Sequence, residues 1–335
     1  MSQNHNIALR NWLLLCCFMV LAMAVVGAIT RLTESGLSIT EWKPVAGTLP
    51  PLSAADWQKE FDLYKASPEF ASKHFWMNID DFKNIYVWEW SHRLLGRLIG
   101  IVFALPLLWF AIRKKIPAGY GWKFIGLLAL GGAQGFMGWY MVKSGLVDRP
   151  SVSHFRLAAH LGLAVLIFSF MWWIALDFIK RPAVTPVSKG MKMHGGGMLF
   201  FLAVTMIWGA FTAGLDGGMI YNTFPKMDAH WIPPELTFNA PAWINALHAP
   251  AAVQFVHRCL AIITGLGLIA FGLRARDTAL TVMVLLQIAL GVATVLSQVM
   301  IPLAALHQAG AIILLALLLR RLHILKHSGE INQAA

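Results

Sequence analysis

The sequence predicts an all-α, polytopic membrane protein whose eight transmembrane helices form two parallel-repeat four-helix bundles. Three observations carry this. Of 335 residues, 58% are hydrophobic and only 13% charged, a balance far from that of a soluble domain. The apolar residues gather into eight runs, each near the roughly 20 residues that cross about 30 Å of hydrocarbon. Short motifs from the first half also recur, in the same order, in the second.

The runs cover approximately 11–31, 84–112, 121–141, 153–179, 193–214, 247–273, 278–298 and 303–322. All are too long for strands. Lipid offers no partner to backbone N–H and C=O groups, so each run must satisfy them internally as a helix. The first follows MSQNHNIALRNW, which lacks the Arg- and Ser-rich character of a transit peptide. With no small-residue cleavage site behind it, it reads as a retained helix. Cys16 and Cys17 fall in that helix and Cys259 in the sixth, so no pair is placed for an exported disulfide. All three read as small buried apolar residues.

Charge sets the orientation. The net charge is +11, but the basic residues border loops on one side: Arg113, Lys114, Lys115 and Lys123, then Lys180, Arg181, Lys189 and Lys192, then Arg274, Arg276, Arg320, Arg321 and Lys326. Every acidic residue except Asp177, Asp277 and Glu330 falls on the other side. This is the positive-inside pattern and no footprint of a nucleic-acid partner. It predicts a multi-pass protein of a bacterial inner membrane with both termini cytoplasmic. Trp88, Trp90, Trp139, Trp172, Trp173 and Trp243, near span ends, read as interfacial belts.

The repeat pairs spans one to four with five to eight. GAITRLTESG from Gly27 matches GAFTAGLDGG from Gly209, and EWSHR ending at Arg93 matches QFVHR ending at Arg258. Gln134 and Gly138 match Gln287 and Gly291, and His160 matches His307. Each unit holds an even number of spans, so both copies enter the membrane from the same side, as parallel repeats do. The predicted division is 1–190, with a long outer loop at 32–83, and 191–335. In that loop Trp42, Pro44 and the Pro50-Pro51 pair precede Ser53 and Asp56, whose spacing is that of a capping box. It predicts a short outer helix over the mouth of the first bundle.

Four histidines follow the repeat. His92, His160, His257 and His307 each lie roughly 5 to 11 residues into an outside-to-inside span, hence in the outer half of the membrane at about 1.5 Å rise per residue. A lone membrane histidine is more often a hydrogen-bonding core residue. Two matched pairs, each drawn from the second and fourth spans of its unit, instead suit bis-imidazole ligation of a haem iron. The remaining histidines, His5, His74, His154, His194, His230, His248, His323 and His327, read as solvated or interfacial. Arg93, Arg97 and Arg258 stand where a cation costs roughly 2.5 to 3.5 kcal/mol, so an anion is expected nearby. Haem propionates suit a guanidinium, with Glu89 as the competing partner.

The pairs differ three residues before their first histidine, where the first has Glu89 and the second Gln254. Positions i and i+3 share a helix face. Glu89 therefore borders the His92 site as an ionisable group, whereas Gln254 offers only hydrogen bonds. On this ground the first site does chemistry and the second carries a redox cofactor.

EWSHRLLGR, ITEWKPVAGTLPPLSAADW, AGLDGGMIYNTFPKMDAHWIPPE and the four histidines together closely resemble haem A synthases, over essentially the whole chain. The resemblance implies oxidation of the C8 methyl group of haem O to a formyl group, giving haem A for terminal oxidases. It implies that His257 and His307 ligate a haem b, that His92 and His160 define the haem O site, and that Glu89 is needed for activity. Many members carry a cysteine pair in the first outer loop; this chain has none there and is similar to the cysteine-free, type 2-like branch. The expected donor is the haem O synthase and the expected recipient terminal oxidase assembly. A membrane electron acceptor or donor and a homo-oligomer are left open, as is the choice between oxygen activation at iron and water attack on an oxidised carbon. Two rival functions are weighed, a di-haem b electron-transfer protein and a haem transporter. The first gives no reason for Glu89 in only one half, and the second has no need of paired ligands.

Overall fold

A computed structural model describes residues 3–42, 46–147, 151–179 and 187–328; Pro44, Lys180 and Arg181 lie outside them. Among the described residues the helices are α1 (Gln3–Leu32), α2 (Ala54–Lys65), α3 (Ile79–Ile112), α4 (Gly121–Val147), α5 (His154–Asp177), α6 (Lys189–Gly214), α7 (Asn245–His248), α8 (Pro250–Arg274), α9 (Thr278–Leu296) and α10 (Ile301–Lys326). All but α2 and α7 are long and apolar enough to span a membrane, which gives the eight spans expected. The protein is all-α and multi-pass.

The distribution of side chains inverts that of a soluble protein. Phe18, Leu105, Trp122, Phe200 and Leu266 are exposed, while Glu89, Thr205, Gln254 and Thr264 are buried. Lipid rewards apolar side chains on the outside, so the interior is where polar groups find partners. Thr205 on α6 and Thr264 on α8 pair through their hydroxyls at 2.8 Å.

The chain forms two compact units, one of residues 15–167 and one of 1–14 with 168–335. In the second, α6 packs on α8 and α10, and α9 packs on both α8 and α10, closing a four-helix ring. Its outer loop is knotted around the fully buried Asn245, whose amide donates to the carbonyls of Leu236, Asn239 and Ala242.

In the 15–167 unit the outer loop folds over α3. Ser53 caps α2 through the expected box, accepting from Asp56 N while Asp56 Oδ2 accepts from Ser53 N. Aspartate serves where glutamate is usual because its shorter side chain still reaches back to the cap. Asn78 and Asp81 form a second such box at the start of α3. The two helices bury Ile39, Phe61, Tyr64, Phe82, Ile85 and Tyr86 between them. Beside this cluster the Tyr64 hydroxyl lies 3.0 Å from Glu69 Oε2 and 2.5 Å from His74 Nδ1, and His74 Nε2 lies 3.3 Å from Glu34, which also binds Lys73.

Three of the histidines expected to be solvated or interfacial are buried. His74 is buried in that network, and His323 on α10 is buried with Nε2 2.8 Å from Asp177 Oδ1 and its ring edge-on to Trp173. A loop or helix-end position leaves a side chain free in sequence, but a nearby carboxylate and an aromatic wall draw an imidazole inward. His154, at the start of α5, is buried as well. Cys16 and Cys17 are buried and unbridged, and Cys259 is half-buried.

Candidate functional site

Each of the four repeat-matched histidines lies against a glycine of a neighbouring helix. A β-carbon built on Gly27 of α1 would stand 3.2 Å from His92 Nε2, and one on Gly209 of α6 would stand 3.1 Å from His257 Cε1. The corresponding clearances are 3.2 Å from Gly138 of α4 to His160 Cε1 and 2.9 Å from Gly291 of α9 to His307 Cε1. Such separations are tighter than ordinary β-carbon contacts, so any larger residue at these positions would press on the rings. The glycines were visible in the sequence as repeat positions, but what they make room for was not.

His92 and His160 lie within electrostatic range of one another, as do His257 and His307. All four residues are half-buried within the apolar spans. Two imidazoles in each half, without a carboxylate bonded to any of the four rings among the described residues, are a donor set that fits haem iron.

Glu89 is buried and fully engaged. Its Oε2 accepts from Ser38 Oγ and from Ile39 N, both at 2.7 Å, and its Oε1 accepts from Arg93 Nη2 at 2.6 Å. Arg93 also donates to the carbonyls of Ile39 at 2.8 Å and Glu41 at 3.3 Å, and lies 5.4 Å over the Trp42 ring. Trp42 in turn lines a cleft with Gly135, Phe136 and Trp139. Of the two partners weighed for Arg93, the protein itself supplies the carboxylate. Arg97 follows one turn along α3.

The second half uses matching positions with opposite polarity. Gln254 Nε2 donates to Tyr221 O at 3.0 Å, while Arg258 donates to Tyr221 O, Thr223 O and Lys226 O. In both halves, then, the residue three before the histidine and the arginine after it tie an outer loop to the helix. The carboxylate accepts an amide proton, and the carboxamide gives one to a carbonyl. Arg258 Nε is buried with no hydrogen-bond partner among the described residues, a donor left for an anion.

Sequence reading also left Gln134 and Gln287 without a role. Each reaches the second histidine of its half. Gln134 Nε2 lies 3.2 and 3.3 Å from the two ring nitrogens of His160 and donates to its main-chain oxygen at 3.1 Å. Gln287 Nε2 lies 3.1 Å from His307 Nδ1 and donates to its main-chain oxygen at 2.9 Å.

Residues 10–319 match the family model described as cytochrome oxidase assembly protein. The chain is 48% identical to the haem A synthase of Rhodospirillum centenum, over 98% of this chain and 91% of that one. It is 44% identical to those of Nitrosospira multiformis, over 90% and 89% of the two chains, and Parvibaculum lavamentivorans, over 96% and 94%.

Proposed function

The chain belongs to the haem A synthase family of cytochrome oxidase assembly proteins, and from that premise we propose that it oxidises the C8 methyl group of haem O to a formyl group. Its function is haem A synthesis. The oxidation runs in two steps at one carbon, each passing two electrons to a membrane electron acceptor or to dioxygen, first to an alcohol and then to a hydrated aldehyde that loses water. The haem A so made goes to terminal oxidases.

In this reading His92 and His160, in the 1–190 half, hold the substrate haem O, and His257 and His307, in the 191–335 half, hold a resident haem b. When bound, haem b supplies a one-electron redox centre. The observation that carries the division is Glu89 against Gln254. Oxidation of a methyl carbon releases protons, and Glu89 is an ionisable group on the His92 helix. Its charge is held in place by Arg93, Ser38 and the Ile39 amide, so it can accept a proton without swinging away. Gln254 in the equivalent position can only donate or accept hydrogen bonds and suits a site that transfers electrons alone. Arg258, through its unpartnered Nε, and Arg97 are assigned to propionates. Arg93 acts first as the partner of Glu89 and the anchor of the loop at 38–41.

The protein works in the bacterial inner membrane with cytoplasmic termini, which the one-sided Lys and Arg distribution supports. Both haem sites then face the outer half of the bilayer, where haem O arrives laterally from the haem O synthase.

The test is pigment extraction with optical spectroscopy and mass analysis of the purified protein and its variants. His257→Ala or His307→Ala should abolish the stable b-type spectrum. Glu89→Ala should retain that haem and block conversion of added haem O. Loss of haem b from Glu89→Ala with conversion intact would reverse the roles of the two halves.

A further inference from the structure

The geometry points to Gln287 as the residue that fixes the tautomer and orientation of His307, and through it the electronic character of the haem held there. This rests on the assignment of His307 as an axial ligand. Gln287 and Gly291 are one turn apart on the same face of α9, and together they hold the His307 ring from two sides. Gly291 meets the Cε1 edge, while the Gln287 amide meets Nδ1 and the main-chain oxygen of the same residue. The Gln287 Oε1 has no hydrogen-bond partner among the described residues, although it is buried. It is also packed so closely on Gly310 of α10 that a β-carbon there would collide with it. A buried amide oxygen without a donor is unfavourable, so this arrangement is incomplete as it stands.

Ligation completes it. An imidazole that gives its Nε2 lone pair to iron carries its proton on Nδ1 and needs an acceptor there. The Gln287 amide already lies within reach of both polar groups of His307, Nδ1 and the main-chain oxygen. A turn of the amide that left NH2 on the main-chain oxygen and carried Oε1 from Gly310 to Nδ1 would satisfy both ends of the amide and both polar groups of the histidine. With the proton held on Nδ1, the Nε2 lone pair is free for the metal. Gln134 is the counterpart at His160, with the same unpartnered Oε1. The acceptor strength at Nδ1 sets how much electron density the ring passes to iron, so position 287 tunes the reduction potential as well as retention.

The experiment compares the purified full-length protein with Gln287→Glu and Gln287→Leu, reading haem content, the midpoint potential and the low-spin electron paramagnetic resonance spectrum. Gln287→Glu, with a stronger acceptor of nearly equal volume, should keep the haem and shift its potential downward. Gln287→Leu should weaken haem retention about 10- to 100-fold and shift the potential of what remains upward. Unchanged potential and resonance spectrum in both variants would overturn the proposal, as would loss of haem from Gln287→Glu. A His307→Ala protein that kept the wild-type haem spectrum would instead overturn the ligand assignment, so the two failures are distinguishable.

Discussion

Gly291 and His307 meet so closely that a β-carbon on the glycine would fall 2.9 Å from Cε1 of the imidazole. The atom met is part of a rigid ring rather than the far end of a flexible chain, so the contact leaves little room to give. Gly291→Ala must displace the ring or part α9 from α10, an overpacking cost of about 1–3 kcal/mol. The expected outcome is a shifted or diminished b-type spectrum at unchanged helical content by circular dichroism. Gly138→Ala, with 3.2 Å of clearance at His160, should disturb haem O conversion more mildly and leave the b-type spectrum intact. Wild-type spectra from Gly291→Ala would show that the contact does not constrain the ligand.

Arg93 is the counter-charge of a buried carboxylate, so its removal should cost more than its own contacts. Arg93→Ala leaves Glu89 with only Ser38 Oγ and Ile39 N, and stripping one partner from a buried pair costs about 3–5 kcal/mol. Faster hydrogen exchange at Ile39 and across 38–41 is expected, together with lost haem O conversion. Arg93→Ala with Glu89→Gln should recover much of the protection and none of the activity. An equal loss of protection in the single and double variants would count against the charge as the cause.

The outer loop of the first half should open more readily as pH rises from about 6.5 to 8. Burial holds the Glu69 carboxyl up at about 8 against the opposing bond from Tyr64. In the opened loop it ionises at ordinary carboxylate pH, so the closed form loses stability as pH climbs through the range between, and the loss ends above about 8. The other groups titrate elsewhere. Burial lowers His74, so its closed form is destabilised only as pH falls below the ordinary histidine value. Partial burial pushes Glu34 up, but its bond and charge with Lys73 and His74 outweigh this and lower it, so its contribution is lost only in acid. Burial and Glu69 raise Tyr64 far beyond this window. Opening constants of α2 from hydrogen exchange, corrected for the intrinsic rate, should therefore rise between pH 6.5 and 8 in the wild type and stay flat in Glu69→Gln. A flat wild-type profile would place Glu69 outside the closed-state network.

The eight spans, the outer helix begun by Ser53 and the matched histidines were all legible in the chain, because each depends on neighbours in sequence. Run length decides whether a segment can cross hydrocarbon, and a capping box needs only four residues. The repeat even marked Gly27, Gly138, Gly209, Gly291, Gln134 and Gln287, although it could not say what they touch.

Contacts between helices decided the rest, since they depend on which rotamer a side chain takes and on what another helix presents to it. That is why Arg93 turned to Glu89 and the loop carbonyls, why His74 and His323 were drawn inside by Tyr64 and Asp177, and why the glycines proved to be seats for imidazole rings. By itself the sequence determined which segments are long and apolar enough to cross the membrane and which histidines correspond. The tertiary structure alone decided how each imidazole is held, because burial in lipid leaves every polar group to find its partner within the protein.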